Sequence, residues 1–394
     1  MKEQLKDLER PIIALNMIVK NESKIIKRCL ENLYDVIDTW CIIDTGSTDG
    51  TQEIIKEFLK DKPGELIEKP WVNFGHNRNE ALSLARKWGD WIFLCDADMV
   101  LKNEGFNKAQ LDINVDAYDI IQDNHGTRYY NFRLLNTRKE WKCIGVTHEY
   151  YDAVGGVRNR QKINSLWFDD VSDGGSKGDK FERDIRLLIQ GLKDEPMNSR
   201  YMFYLAQSYR DTQQWDDAIE WYQKRVDAGG WDEEVFFAKY MIAWIKAQRE
   251  DSWEEILKAG LDAWMYRPWR AEPTWLLAIE ARKKELWQHA YQFAKTTALM
   301  PYPQNDLLFV AAAAYGFPAL DEYAVASYWS GNFQDCRDAC AKLLRDNSIP
   351  GQEIPRIKKN MWFSEKQLGY WSDQNFEMFL GEIKKQAELQ LEEL

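Results

Sequence analysis

The regular pattern of the chain opens with the strand-like run Ile12-Ile13-Ala14-Leu15-Asn16-Met17-Ile18-Val19, which stops at Lys20-Asn21-Glu22-Ser23. Apolar residues then return at helical spacing, at Ile25, Ile26, Cys29, Leu30 and Leu33. A second run, Trp40-Cys41-Ile42-Ile43, ends at Asp44-Thr45-Gly46-Ser47-Thr48-Asp49-Gly50-Thr51, and another amphipathic helix carries Ile54, Ile55, Phe58 and Leu59. Gly46 and Gly50 allow tight turns there, and Asp49 with Gln52 reads as a variant of the capping box. A third helix, from Asn77 to Trp88, leads into a strand, Phe93-Leu94-Cys95, that stops at Asp96-Ala97-Asp98. Strand, helix, strand, helix, helix, strand is the rhythm of a parallel α/β sheet, and ligands on such sheets sit outside the carboxyl ends of the strands. Asn21, Asp44, Asp96 and Asp98 all fall at such ends. Two carboxylates one residue apart, where the chain leaves a sheet, can turn toward one ligand. A divalent cation (Mn²⁺ or Mg²⁺) on a nucleotide diphosphate needs such hard oxygen ligands in an open site.

The pattern changes character near Pro196. Strand signals fade, and Trp, Tyr, Ala and charged residues recur at helical spacing. Leu205-Ala206, Tyr209, Trp215, Ala218 and Tyr222 fit the tetratricopeptide pattern, in which small residues let paired helices approach and aromatics fill between them. The order returns 72 positions later at Leu277-Ala278, Ala281, Trp287, Ala290 and Ala294. Met241, Ala243, Trp244 and Trp253 suggest a degenerate copy between them, and Tyr328, Gly331, Phe333 and Ala339 a last one before a charged C-terminal helix. Stacked helical pairs bury a continuous core that one pair cannot. The expected organisation is an α/β domain over 1–195 and an all-α tetratricopeptide-like domain over 196–394. The 18 Trp are read mainly as inter-helix packing, with Trp231 and Trp269 as candidate exceptions for stacking on sugar.

The first half carries a resemblance. Ile43-Asp44-Thr45-Gly46-Ser47-Thr48-Asp49-Gly50-Thr51 resembles the nucleotide-binding segment of family 2 glycosyltransferases with the GT-A fold. Asn77-Arg78-Asn79-Glu80-Ala81 resembles a helix start of the same enzymes, and Asp96-Ala97-Asp98 their DXD. The similarity covers roughly residues 10 to 150 and implies a donor site at the strand ends, with a divalent cation bridging the diphosphate. It implies donor contacts at Val19, Asn21, Glu22, Asp44, Arg78, Asp96, Ala97 and Asp98. Asp44 would lie at the base, Arg78 near the base or diphosphate, Asp96 near the ribose and Asp98 on the metal. Thr45 stands where the family usually has a second Asp. Trp141-Lys142-Cys143-Ile144-Gly145-Val146-Thr147-His148-Glu149 resembles the "G-x-x-HE" segment of a bacterial and viral subset, some of which also carry tetratricopeptide repeats.

Displacement at an anomeric carbon needs a base for the acceptor proton, and Glu149 is the first candidate. His148 is a candidate to complete the metal shell with Asp96 and Asp98. Its bland alternative is a histidine paired with a carboxylate that merely fixes the fold. Asp169, Asp170 and Asp173, before Gly174-Gly175-Ser176-Lys177-Gly178, form a second acidic cluster, on a segment that either closes over the donor or connects to a helix starting near Phe181.

Composition excludes some classes. A net charge of -12 gives no footing for generic binding to nucleic acid or anionic lipid. No apolar run has membrane-spanning length, and the Lys- and Glu-rich N-terminus has no signal-peptide core. Cys29, Cys41, Cys95, Cys143, Cys336 and Cys340 include no Cys-x-x-Cys pair and read as core thiols of a cytoplasmic protein. With 4 His, a His-rich zinc centre is disfavoured. The expected activity is metal-dependent, inverting transfer from a nucleoside diphosphate sugar, UDP-linked, to a hydroxyl on a glycan, protein or small molecule. A homodimer through the repeats is a further expectation. A sugar-nucleotide nucleotidyltransferase would show a Gly-rich basic loop after the first strand, where this chain reads Val19-Lys20-Asn21-Glu22. The remaining alternative is a repeat scaffold with a relic transferase domain.

Overall fold

A computed structural model of the protein describes residues 10–175, 180–346, 349–372 and 375. Ser176, Lys177 and Gly178 of the glycine-rich segment, and the charged C-terminal helix, lie outside the described residues. The chain divides into two compact units, Met1–Pro196 and Met197–Leu394.

The first unit runs β1 (Ile13–Val19), α1 (Ile26–Leu33), β2 (Thr39–Asp44), α2 (Thr51–Phe58), β3 (Gly64–Glu68), α3 (Phe74–Ala85), β4 (Trp91–Leu94) and β5 (Met99–Asn103). It continues with β6 (Ala117–Asn124), β7 (Thr127–Asn136), β8 (Trp141–Ile144), β9 (Tyr150–Ala153), β10 (Arg160–Asp170) and α4 (Lys180–Asp194). Eight strands form one sheet in the order β3-β2-β1-β4-β7-β6-β10-β5, while β8 and β9 make a separate hairpin. Strands β1 to β4 are parallel, as expected. Beyond β4 the sheet is mixed, because β7 runs antiparallel to β4 and β6 antiparallel to β7. Apolar residues cover both faces of the parallel half, with Ile13, Leu15, Met17 and Phe93 in one cluster and Ala14, Cys41, Ile92 and Leu94 in another. Burial on both faces explains why these strands read as unbroken apolar runs.

Local expectations are corrected at several places. A strand, β3, lies between the second and third helices. Its Gly-Glu-Leu-Ile-Glu sequence is a half-exposed edge, with no residue fully buried. Helix α3 begins at Phe74 rather than Asn77, capped by Asn73, whose side chain accepts from the His76 amide at 2.8 Å. Asn77 instead sits buried inside the helix, accepting from the Val72 amide. The Asp49–Gln52 capping box does not form. Gly50, at φ +92°, is the cap residue, and Asp49 accepts from the Thr51 amide and hydroxyl and from the Ser23 amide. Gln52 turns back to donate to Asp44 at 3.0 Å.

The second unit consists of α5 (Ser199–Asp211), α6 (Trp215–Ala228), α7 (Asp232–Gln248), α8 (Trp253–Tyr266), α9 (Glu272–Lys283), α10 (Trp287–Ala298), α11 (Phe317–Trp329), α12 (Phe333–Leu343) and α13 (Ile354–Gln367). Successive pairs from α5 to α12 pack as hairpins, and both sequence repeats fall on them in register. The buried small residues Ala218, Ala243, Ala278, Ala281, Ala290 and Ala294 lie where the helices meet. A Cβ on Gly260 would come within 2.7 Å of Leu277. Each hairpin turns through a residue in the left-handed region, Gln213, Glu250, Glu285 or Gly331. The following helix then opens on an aromatic, Trp215, Trp253, Trp287 or Phe333. Trp215 meets Trp244, and Trp287 stacks on Trp329 with centroids 5.3 Å apart. Trp231 and Trp269 are each about half exposed, at 45% and 49%.

Candidate active site

The parallel strands β2, β1 and β4 lie side by side, and their carboxyl ends deliver most of the expected residues to one edge of the sheet. Asp44 ends β2 and is fully buried. Its Oδ1 accepts from the amides of Gly46 (2.9 Å) and Ser47 (2.8 Å) and from Gln52, which ties the following loop into a cradle. Its Oδ2 is buried and has no hydrogen-bond partner. Thr45 donates both its amide and its hydroxyl to the Val19 carbonyl, fastening β2 to β1 with a donor that an Asp could not supply. At the end of β1, Val19 is buried and Asn21 is exposed in a left-handed conformation at φ +56°. The Asn21 side chain accepts from the Thr48 amide, so the two strand-end loops are stitched together.

At the end of β4 the chain turns through Asp96-Ala97-Asp98 into β5. Ala97 is buried, and Asp96 lies between two cations. Arg78 of α3 donates Nη2–H to Asp96 Oδ1 at 2.7 Å and Nε–H to Glu149 Oε1 at 2.7 Å. Arg133 of β7 stands 3.7 Å from Asp96 Oδ2. Burial alone would raise the Asp96 carboxyl, but the charges of Arg78 and then Arg133 outweigh it and hold it below the ordinary carboxylate range. Burial likewise opposes charge on Arg78, which Asp96, Tyr151 and Glu149 overcome. This contact depends on a glycine. A Cβ on Gly75, in the first turn of α3, would lie 2.2 Å from the Gly145 carbonyl oxygen, so only glycine lets Arg78 and the segment bearing Glu149 come this close.

The acids of β1 and β4 also crowd together. Glu22 is raised above the ordinary carboxylate value by burial, eased by the Gly175 amide, and further by the negative charges of Asp98, Asp49 and Asp173. Gly174 and Gly175 pass close by, with a Gly174 Cβ site only 3.0 Å from Asp98 Oδ2 and the Gly175 amide donating to Glu22. Arg28 of α1 clasps Asp173 through both guanidinium nitrogens at 2.7 and 2.8 Å, which fixes this segment.

His148 is left-handed, at φ +50°, and its Nε2 lies 3.4 Å from the buried Asp184 of α4. The structure therefore engages Asp96 with arginines and His148 with a carboxylate of its own. Among the described residues no three His, Cys, Asp or Glu side chains are grouped so as to hold a metal. Of the second acidic cluster, Asp170 accepts from Gln122, Asn124 and Ser172. Arg133, Gln122, Arg28 and Tyr151 are absent from the sequence reading. The one available signal was a lone charge, Arg133, inside the apolar run Phe132-Arg133-Leu134-Leu135.

A mixed sheet whose parallel strands end in an Asp cradle and an Asp-x-Asp turn, with a helix-borne arginine beside them, defines a nucleotide-diphospho-sugar transferase fold, and comparison with known proteins gives the family. Residues 15–172 match the family described as "Glycosyl transferase family 2". An uncharacterised glycosyltransferase of Rickettsia felis is 32% identical over 245 residues, covering 58% of this chain and 79% of the relative. The SPbeta prophage-derived glycosyltransferase SunS of Bacillus subtilis is 27% identical over 237 residues, covering 56% of this chain and 54% of that one. The chain belongs to glycosyl transferase family 2. It spans about half the length of SunS. A solved tetratricopeptide repeat protein of Parabacteroides merdae aligns with 49% of this chain and 69% of its own, at 14% identity and a TM-score of 0.34. The repeat architecture rests on the helical hairpins described above, not on that superposition.

Proposed function

We propose that the protein transfers a sugar from a nucleoside diphosphate sugar, UDP-linked, to a hydroxyl of a glycan, protein or small molecule. The observation that carries this reading is the alignment of Asp44, Asp96 and Asp98 along adjacent parallel strand ends, with Arg78 reaching in from α3. The buried, unpartnered Oδ2 of Asp44 suits an N–H of the base, because a buried carboxylate oxygen without a donor is costly. Asp96 suits the ribose hydroxyls, held in place by its arginines. Val19, Asn21, Glu22 and Ala97 line the same edge.

Asp98 is the residue that would hold a divalent cation. The fit rests on the carboxylates gathered at this edge: burial first raises Glu22, and the negative charges of Asp98, Asp49 and Asp173 add to that rise, a repulsion that a cation would relieve. Such a cation supplies Lewis-acid compensation for charge on the leaving diphosphate. In this reading Asp96 and His148, engaged elsewhere, support the site rather than ligate. Glu149 takes the acceptor proton as the displacement inverts the anomeric carbon. Arg78 holds its Oε1, orienting the carboxylate so that Oε2 meets the acceptor hydroxyl. Among the described residues no helix is long and apolar enough to cross a membrane, and the six cysteines are buried and unpaired, which supports a reducing, cytoplasmic setting. Pairing of two copies through the repeats belongs to the same reading and is checked by light scattering.

The test is donor hydrolysis across UDP-, GDP- and CMP-sugars, with and without Mn²⁺. Mn²⁺-dependent turnover of one UDP-sugar supports the reading. Turnover of none, by a protein that is folded, refutes it.

A further inference from the structure

One buried cation beside the strand ends is held in place at a structural cost. Strands β6 and β7 pair Tyr118 with Leu134 and Asp119 with Phe132, which leaves Arg133 as an extra residue without an opposite number. Such a bulge bends its strand and re-aims a side chain, and bulges concentrate beside active sites. Here the re-aimed side chain belongs to an arginine only 6% exposed, whose immediate neighbours Phe132 and Leu134 are apolar. It lies over the Phe168 ring at 5.5 Å, and its Nη2–H donates to Gln122 Oε1 at 2.6 Å. Its Nη1 reaches Asp96 Oδ2 only to 3.7 Å, beyond hydrogen-bond distance, and its Nε–H is buried with no partner. A guanidinium in this state is a poor packing element, since leucine or methionine would fill the space without a buried, half-satisfied charge.

The geometry points to Arg133 as a positioning residue of the donor site, carried there by the β7 bulge and held by Gln122 beside Oδ2 of Asp96, the oxygen that Arg78 does not bind. The inference rests on the reading of Asp96 as a donor contact. Gln122 is anchored in turn, donating to Asp170, so Asp96 is tied through Arg133 to the neighbouring strands β6 and β10. Loss of Arg133 therefore leaves Asp96 held by Arg78 alone and free to turn away from the donor.

The test compares the intact chain with R133M, R133K and Q122L by calorimetric titration of UDP with Mn²⁺ at pH 7.5. R133M should weaken UDP at least about tenfold, R133K should recover most of that loss, and Q122L should show a smaller loss. Wild-type affinity in R133M, whatever its thermal stability, overturns the proposal and leaves Arg133 a packing residue. If R133M does not fold, Q122L decides, and wild-type affinity there overturns it. If the wild type binds no UDP, the donor reading fails separately, and urea unfolding of R133K, D96N and the double variant still tests Arg133: zero coupling overturns the proposal.

Discussion

Replacing Arg78 by Met would strand two carboxylates at once. Arg78 bridges Asp96 and Glu149 at 2.7 Å each, with side-chain exposures of 15% for Arg78, 15% for Glu149 and 30% for Asp96. Breaking a fully buried pair costs about 3–5 kcal/mol, because the abandoned charge stays buried, whereas exposed pairs are worth about 0–1 kcal/mol. The intermediate exposure places R78M at about 2 kcal/mol, or about 4–8 °C in the unfolding midpoint of a unit this size. The sign of the pH dependence follows from Asp96. Its folded carboxyl lies below the ordinary value, so its stabilisation is full above the unfolded value and is lost as pH falls through the folded one. The gap between wild type and R78M should therefore be constant from about pH 8 to 5 and narrow below that, as the stranded Asp96 of the variant takes up a proton. Urea unfolding across this range measures it, with D96N and the double variant completing a mutant cycle. A loss below about 0.5 kcal/mol at pH 7.5, or zero coupling in the cycle, would show that the bridge contributes nothing.

Other substitutions separate the roles assigned above. Asp98→Ala should abolish Mn²⁺-dependent donor hydrolysis while leaving the unfolding midpoint within a few degrees; full activity, or indifference of the wild type to chelator, removes the metal assignment. Glu149→Gln keeps an acceptor for Arg78 but no basic carboxylate, so transfer should fall about 100-fold or more with UDP affinity nearly unchanged. An equal loss of UDP affinity would place Glu149 in the diphosphate shell and make Asp169, Asp170 or Asp173 the next candidates for the base. Gly75→Ala sets a methyl 2.2 Å from the Gly145 oxygen and should cost about 1–3 kcal/mol in chemical denaturation, with UDP affinity falling too as Arg78 shifts. Wild-type stability in that variant would mean the helix and loop are not in close contact.

Much of the parallel half was legible because burial on both faces forces apolar runs, and each run stops where polar residues take over, as at Val19, Ile43 and Cys95. Strand β3 escaped for the converse reason, since an edge strand with Glu65 and Glu68 needs no apolar run. The long strands β6, β7 and β10 mix apolar and polar residues without strict alternation, and their register shifts break the period that would announce them. The strand-end acids could be named from spacing, but not their partners. Arg133 reaches Asp96 from 37 residues away and Asp184 meets His148 across 36, and such pairings are set by sheet order rather than local pattern. In the repeats, alanine and tryptophan spacing marks the hairpins. The left-handed Gln213, Glu250 and Glu285 were hidden because none is the glycine that usually marks such a turn.

Calorimetric titration of UDP with Mn²⁺ into the intact chain and into D96N tests for a nucleoside diphosphate site at the strand ends of the first unit. One site per chain is expected in the wild type, and at least about tenfold weaker binding in D96N at pH 7.5, where the charge of Asp96 is fully developed. Equal affinity in the two proteins, or no binding by a folded wild type at millimolar UDP, would contradict this expectation.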